Sequence, residues 1–147
     1  MEYNETFMQK AIQLAHKAKK KGEVPIGAVI VRNGKILASA YNMRERGKNA
    51  LYHAETLAIA RACRKTRGWR LDTCEMYVTL QPCLMCAGAI LNSRIKKIYI
   101  GALATKELAN SLEVYKTNAL NWSTDVEVLQ NEECSQILRD FFKEARK

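Results

Sequence analysis

Two short stretches of this chain bring together residue types that hold metals and move protons. His53-Ala54-Glu55 is followed along the chain by Pro82-Cys83-Leu84-Met85-Cys86. Taken singly, each part has an ordinary reading. A lone histidine usually serves the core or the surface. A Cys-x-x-Cys pair could be a redox couple or half of a structural zinc site. Taken together they fit a catalytic zinc, which wants three protein ligands and a fourth position left for water. His53, Cys83 and Cys86 supply three, and no second Cys-x-x-Cys or His-x-x-x-His closes the set. Proline is favoured in a first helical turn, so Pro82 or Cys83 should open a helix. The positive end of that helix favours thiolates. Zinc brings the pKa of its water down to about 7. Glu55, near the histidine but not counted as a ligand, could take the proton and hand it on.

The elements that must position these groups can be read from periodicity. Phe7, Ala11, Leu14, Ala15 and Ala18 suggest one face of an amphipathic first helix, stopped at Gly22. Val24–Val31 and Lys35–Tyr41 read as strands joined by Asn33-Gly34, a strong hairpin signal. A second helix should begin near His53 and end at Gly68. Strands are expected at Glu75–Leu80 and Lys97–Gly101, flanking the helix that carries the cysteines. Thr105–Tyr115 reads as helical, Val126–Leu129 as an edge strand and Glu132–Ala145 as a last helix. Strands alternating with helices argue for an α/β fold with a mixed sheet covered by helices. In such folds chemistry gathers at strand ends and helix N-termini.

The 147 residues suit one domain spanning 1–147, with 48% hydrophobic residues and two prolines. Lys and Arg number 24 against 15 acidic residues, a net charge of +9. A small domain this basic often meets a polyanion. No apolar run approaches the roughly 18 residues of a membrane span. The N-terminal residues lack the basic start and apolar run of a signal peptide, so a cytoplasmic protein is expected. Of the five cysteines, Cys63, Cys74 and Cys134 sit singly among apolar neighbours and read as core residues.

The spacing His-x-Glu … Pro-Cys-x-x-Cys is a general signature of zinc nucleobase deaminases. The match extends over most of the chain. Glu23–Val31, Asn42, Trp69-Arg70-Leu71, Tyr77–Leu80, Pro82–Ile90, Ser93-Arg94-Ile95 and Leu138–Phe142 resemble bacterial tRNA-specific adenosine deaminases. The resemblance implies a three-layer cytidine-deaminase-like fold, with a five-stranded mixed sheet flanked by helices. It implies a homodimer with one Zn2+ per subunit, acting on the wobble adenosine of a tRNA anticodon loop to give inosine. It assigns His53, Cys83 and Cys86 to the metal and Glu55 to proton transfer. It assigns Asn42 to hydrogen bonding with the purine, and Val24, Pro25 and Ile26 to the walls of the base pocket. The chain departs from the family in two places. Gln81 stands where a glutamate usually precedes Pro-Cys. The stretch 103–112 has Ala104 at a usual aspartate position and lacks the usual glycines. A deaminase of a free base or nucleoside, of guanine or cytosine type, is the alternative.

Overall fold

The apolar run Gly27–Arg32 forms strand β1, and its side chains alternate between two cores. Ala28 and Ile30 pack into one buried cluster; Val29 and Val31 pack into the other. A strand covered on both faces has no polar side, which explains its continuous apolar sequence. The computed structural model describes residues 2–104, 112–117 and 120–145. Around β1 the described chain runs α1 (Glu5–Lys20), β2 (Lys35–Tyr41), α2 (Ala54–Thr66), β3 (Cys74–Leu80), α3 (Leu84–Asn92), β4 (Lys97–Ala102), β5 (Asp125–Val128) and α4 (Glu132–Ala145).

The five strands make one sheet in the order β2-β1-β3-β4-β5. β1 is antiparallel to both β2 and β3, whereas β3, β4 and β5 run parallel. This is the mixed sheet expected. Helices α2 and α3 cover one face, where Ala54, Ala58, Ala87 and Ile90 join Ile30, Met76 and Ile98. Helices α1 and α4 cover the other, where Met8, Ala11, Ala15 and Ile137 join Val29, Tyr77 and Tyr99.

Local chemistry sets the turns. Asn33 (φ 52°) and Gly34 (φ 75°) both lie in the left-handed region, as a type I′ hairpin turn requires. Helix α1 ends at Lys20, two residues before Gly22, and its N-terminus is capped by Asn4, whose side chain accepts from the Thr6 N–H. A Cβ on Gly27 would lie 2.0 Å from the Ala11 carbonyl oxygen, so this glycine lets α1 sit directly against β1.

Several boundaries differ from the sequence expectation. The buried stripe of α1 is Met8, Ala11, Ile12, Ala15 and Ala18. Phe7 and Leu14 fall at its half-buried edges, because the close approach at Gly27 centres the small alanines on the sheet. β1 begins at Gly27, not Val24: the Ile26 N–H bonds the Val24 carbonyl (2.9 Å) in a tight turn before the strand. α2 ends before Gly68, with Arg67 taking the left-handed capping position (φ 59°). Cys83 caps α3, so Pro82 lies outside the helix. β5 starts one residue early, at Asp125. Cys74 and Cys134 are buried, but Cys63 is half-buried and only packs against the core. Of the helix expected at Thr105–Tyr115, residues 105–111 lie outside the described ones, and 112–116 form a short 3₁₀ turn.

Candidate metal centre

His53 and Cys83 occupy equivalent places: each is the N-cap residue of a helix on the same side of the sheet. The Thr56 hydroxyl, one turn into α2, accepts the His53 N–H (3.2 Å) and donates to the Leu51 carbonyl. That exchange fixes the backbone at His53. Cys83 follows β3 through Gln81 and buried Pro82, and Cys86 sits in the first turn of α3. The topology therefore delivers both cysteines at the C-terminal end of a parallel strand and the histidine at a neighbouring helix start.

The three donors meet. His53 Nδ1 lies 3.7 Å from Cys83 Sγ and 3.5 Å from Cys86 Sγ. One ligand atom from each lies within 4.8 Å of the other two. With ordinary zinc bond lengths, nitrogen and sulfur on one tetrahedral edge stand about 3.6 Å apart. The cage thus has the right size and donor set for a zinc-like ion. The two thiols share a proton: the Cys86 thiol donates to Cys83, which brings the Cys83 pKa down to about 5. The N–H groups of Cys86 and Met85 and the charge of His53 act in the same direction, against the cost of burial. The same hydrogen bond, with burial, pushes the Cys86 thiol up. The lowering favours the thiolate form of Cys83, the form that binds a metal.

Glu55 lies in the first turn of α2, 3% exposed. Burial raises its carboxyl pKa to about 7, with a further push from the Cys83 charge; its own N–H and Cys86 pull the other way. Among the described residues its Oε1 has no hydrogen-bond partner. A buried, unpaired carboxylate oxygen beside a metal-sized cage is suited to receive a proton from a bound water.

Asn42 is buried (6% exposed), and its N–H bonds the Ile26 carbonyl (3.1 Å). This ties the end of β2 to the Val24–Ile26 segment. Pro25 is buried, while Val24 and Ile26 are half-buried. The Asn42 side-chain oxygen accepts from the Arg44 N–H (3.3 Å).

Glu23, quoted within the resembling Glu23–Val31 stretch, was given no role by sequence reasoning. It is fully buried, and its two carboxylate oxygens accept the N–H groups of Glu45 (3.0 Å) and Arg46 (2.7 Å). These belong to the loop joining Asn42 to His53, which folds on itself through Met43 N–H to Tyr52 O (3.0 Å) and Gly47 N–H to Met43 O (2.8 Å). Glu23 thus clamps that loop to the Val24–Ile26 segment. Its partners are backbone groups distant in sequence, so no residue pattern announces them. The two departures from the family pattern also meet: the Gln81 side-chain oxygen accepts the Ala104 N–H (3.2 Å).

A three-layer fold with a His-Cys-Cys cage beside a buried glutamate defines a metal-type deaminase, and residues 2–146 match the MafB19-like deaminase family. The chain is 44% identical over 152 residues to the tRNA-specific adenosine deaminase of Bacillus subtilis (strain 168), covering 100% of this chain and 93% of that protein. Among solved structures, one from a study of A-to-I editing by tRNA:A34 deaminases at the wobble position superposes with a TM-score of 0.85 and 34% identity, over 92% of this chain and 100% of that one. A guanine deaminase from Bacillus subtilis superposes with a TM-score of 0.69 and 30% identity, over 99% and 98% of the two chains. The chain belongs to the family of tRNA-specific adenosine deaminases.

Proposed function

We propose that this protein hydrolyses the wobble adenosine of a tRNA anticodon to inosine, as a single deaminase domain spanning residues 1–147. The observation that carries this reading is the convergence of His53, Cys83 and Cys86 beside buried Glu55, in a chain alike along its whole length to tRNA-specific adenosine deaminases. His53, Cys83 and Cys86 would hold one Zn2+ per subunit. Such an ion, once bound, acidifies a water and so supplies a nucleophile at neutral pH. Glu55 would take one proton from the attacking water to the purine ring nitrogen and then carry the remaining hydroxyl proton to the amino group, so that ammonia leaves as the C6–O bond replaces the C6–N bond. Asn42 hydrogen-bonds the purine edge, using an amide that both donates and accepts. Val24, Pro25 and Ile26 wall the base pocket, and the Glu23 clamp keeps them in register with Asn42.

The target base must leave its stack, which costs least in an unpaired loop. Cations gather over Tyr41, the residue before Asn42: Lys17 Nζ and Lys21 Nζ lie 5.6 Å and 5.4 Å from its ring centre. A hydrogen bond from Lys21, with the charges of Lys21, Lys17 and Arg46, holds the Tyr41 phenol below its ordinary pKa. Among the described residues none of these three cations forms an ion pair with a carboxylate. They are suited to loop phosphates. A homodimer in the cytoplasm completes the reading, and no described helix is long and apolar enough to cross a membrane.

The second reading, a free-base deaminase, is favoured by one observation. Gln81 and Ala104, both departures from the family pattern, bond each other beside the metal centre, and the fold also matches a guanine deaminase. Incubating the zinc-loaded protein with an anticodon stem-loop bearing wobble adenosine, and separately with guanine, cytosine and cytidine, decides between them. Inosine in the stem-loop alone supports the first reading. Ammonia from a free base or nucleoside alone overturns it.

A further inference from the structure

No carboxylate stands between Glu23 and Glu45, or between Glu55 and Asp72. The β1–β2 hairpin and most of α2 lie inside these two acid-free stretches. They meet at a groove of about 450 Å³ whose lining includes Arg32, Lys35 and Lys65. The Asn33-Gly34 turn sets this geometry, because it places Arg32 directly opposite Lys35. Arg32 follows Ala28 and Ile30 at a spacing of two, so it leaves β1 on the face that α2 covers. All three cations are exposed, and among the described residues none of them forms an ion pair. Asp72, which ends the second stretch, pairs with Arg70 (3.4 Å). Like charges directly opposite on two strands destabilise the pairing. The fold keeps that cost at the hairpin and adds Lys65 beside it.

The groove lies at the far end of the fold from the metal centre. β2 leads from Lys35 to Tyr41, beside Asn42, over six steps of strand or about 20 Å. α2 gives a similar span: Lys65 follows His53 by twelve residues, about 18 Å of helix. We propose that the groove is a second RNA site, in which Arg32, Lys35 and Lys65 hold backbone phosphates of the substrate tRNA outside the loop that enters the pocket. Charge complementarity selects this partner. Long cationic side chains around an open groove present no fixed donor pattern for one small ligand, but they neutralise a repeated backbone charge by charge. Such contacts orient an RNA without reading its bases. Lys17, Lys21 and Arg46 sit at the pocket end of β2 and the groove at its other end, so the two clusters together set the direction in which the RNA lies.

The inference rests on tRNA being the substrate, and its main readout is binding, not activity. In the zinc-loaded full chain, Arg32, Lys35 and Lys65 are replaced together by glutamine. Binding is followed over a range of salt for a full-length tRNA transcript with wobble adenosine, and for a single-stranded oligonucleotide of the anticodon loop alone. Affinity for the tRNA should fall about tenfold at low salt, the worth of three exposed charge contacts. The slope of log affinity against log salt should flatten by about 2. Affinity for the loop oligonucleotide should stay within about twofold, and so should kcat on saturating tRNA. Lys65→Arg alone keeps the charge and should bind tRNA as the unaltered protein does. The melting temperature of the triple variant should hold or rise, since a like-charge pair is removed. An unchanged salt slope for the tRNA overturns the proposal. So does an equal loss for the loop oligonucleotide, which would mark a general loss of positive field or of the fold. If the unaltered protein binds tRNA but forms no inosine, the deaminase reading fails while the two salt slopes still decide the groove.

Discussion

Replacing Glu23 by glutamine tests whether one buried carboxylate assembles the pocket. The carboxylate accepts two backbone N–H groups, from Glu45 at 3.0 Å and Arg46 at 2.7 Å, and is fully buried. Glutamine keeps one acceptor and turns an NH2 group toward the other N–H, so donor faces donor. A hydrogen bond to a charged group contributes about 1.5–3 kcal/mol, and a buried donor left unpaired costs about 1–3 kcal/mol. The loop residues Glu45 and Arg46 are themselves exposed, so the stranded N–H can turn toward water and part of the second cost is avoided. The net loss should be about 2 kcal/mol. For a domain of this size that lowers the melting temperature by about 6 °C. If the loop opens locally first, hydrogen exchange at the Glu45 and Arg46 amides should speed up about thirtyfold, since about 1.4 kcal/mol is a factor of ten. Exchange at β3 amides should change far less. The loop joins Asn42 to His53, so KM for the stem-loop should rise as well. Unaltered protection at Glu45 and Arg46 would refute the clamp.

Two further outcomes follow from the geometry. Arg67 takes the left-handed position at the end of α2 (φ 59°), a conformation that costs a non-glycine residue about 1 kcal/mol, so Arg67→Gly should stabilise the fold by up to that amount in urea unfolding; a loss of stability would show that the Arg67 side chain contributes more than its backbone costs. Replacing Lys17, Lys21 and Arg46 together by alanine should flatten the dependence of log affinity on log salt for the stem-loop by about 2, near 0.7 for each single-strand phosphate left without its cation, and an unchanged slope would move the RNA backbone elsewhere on the surface.

The residues proposed for chemistry were the most legible part of the sequence, because metal ligation and proton transfer restrict both residue type and spacing. His53, Cys83 and Cys86 need no tertiary knowledge to be grouped, and the fold brings their donor atoms together. Long apolar periodicities were equally plain: α4 lies at Glu132–Ala145 as its spacing suggests, and β2 spans Lys35–Tyr41. What stayed hidden depends on packing between distant segments. The face of α1 shifted because Gly27 admits the helix backbone so closely. The end of α2 fell at Arg67, whose left-handed backbone no composition rule favours over the adjacent Gly68. Among the described residues, the Glu23 carboxylate bonds main-chain N–H groups of a loop more than twenty residues away, which no residue pattern announces.

Division of labour between the cage and the carboxylate is the central claim, and Glu55→Ala measures it most directly. Metal content and turnover of the stem-loop are determined on the same zinc-loaded preparation, with Cys86→Ala alongside. Glu55→Ala should retain zinc at the level of the unaltered protein and lose at least a hundredfold in kcat, the scale of general acid–base catalysis at roughly 10² to 10⁴. Cys86→Ala should lose the metal and the activity together. A Glu55→Ala protein that keeps its turnover, or one that loses zinc as Cys86→Ala does, would contradict the account.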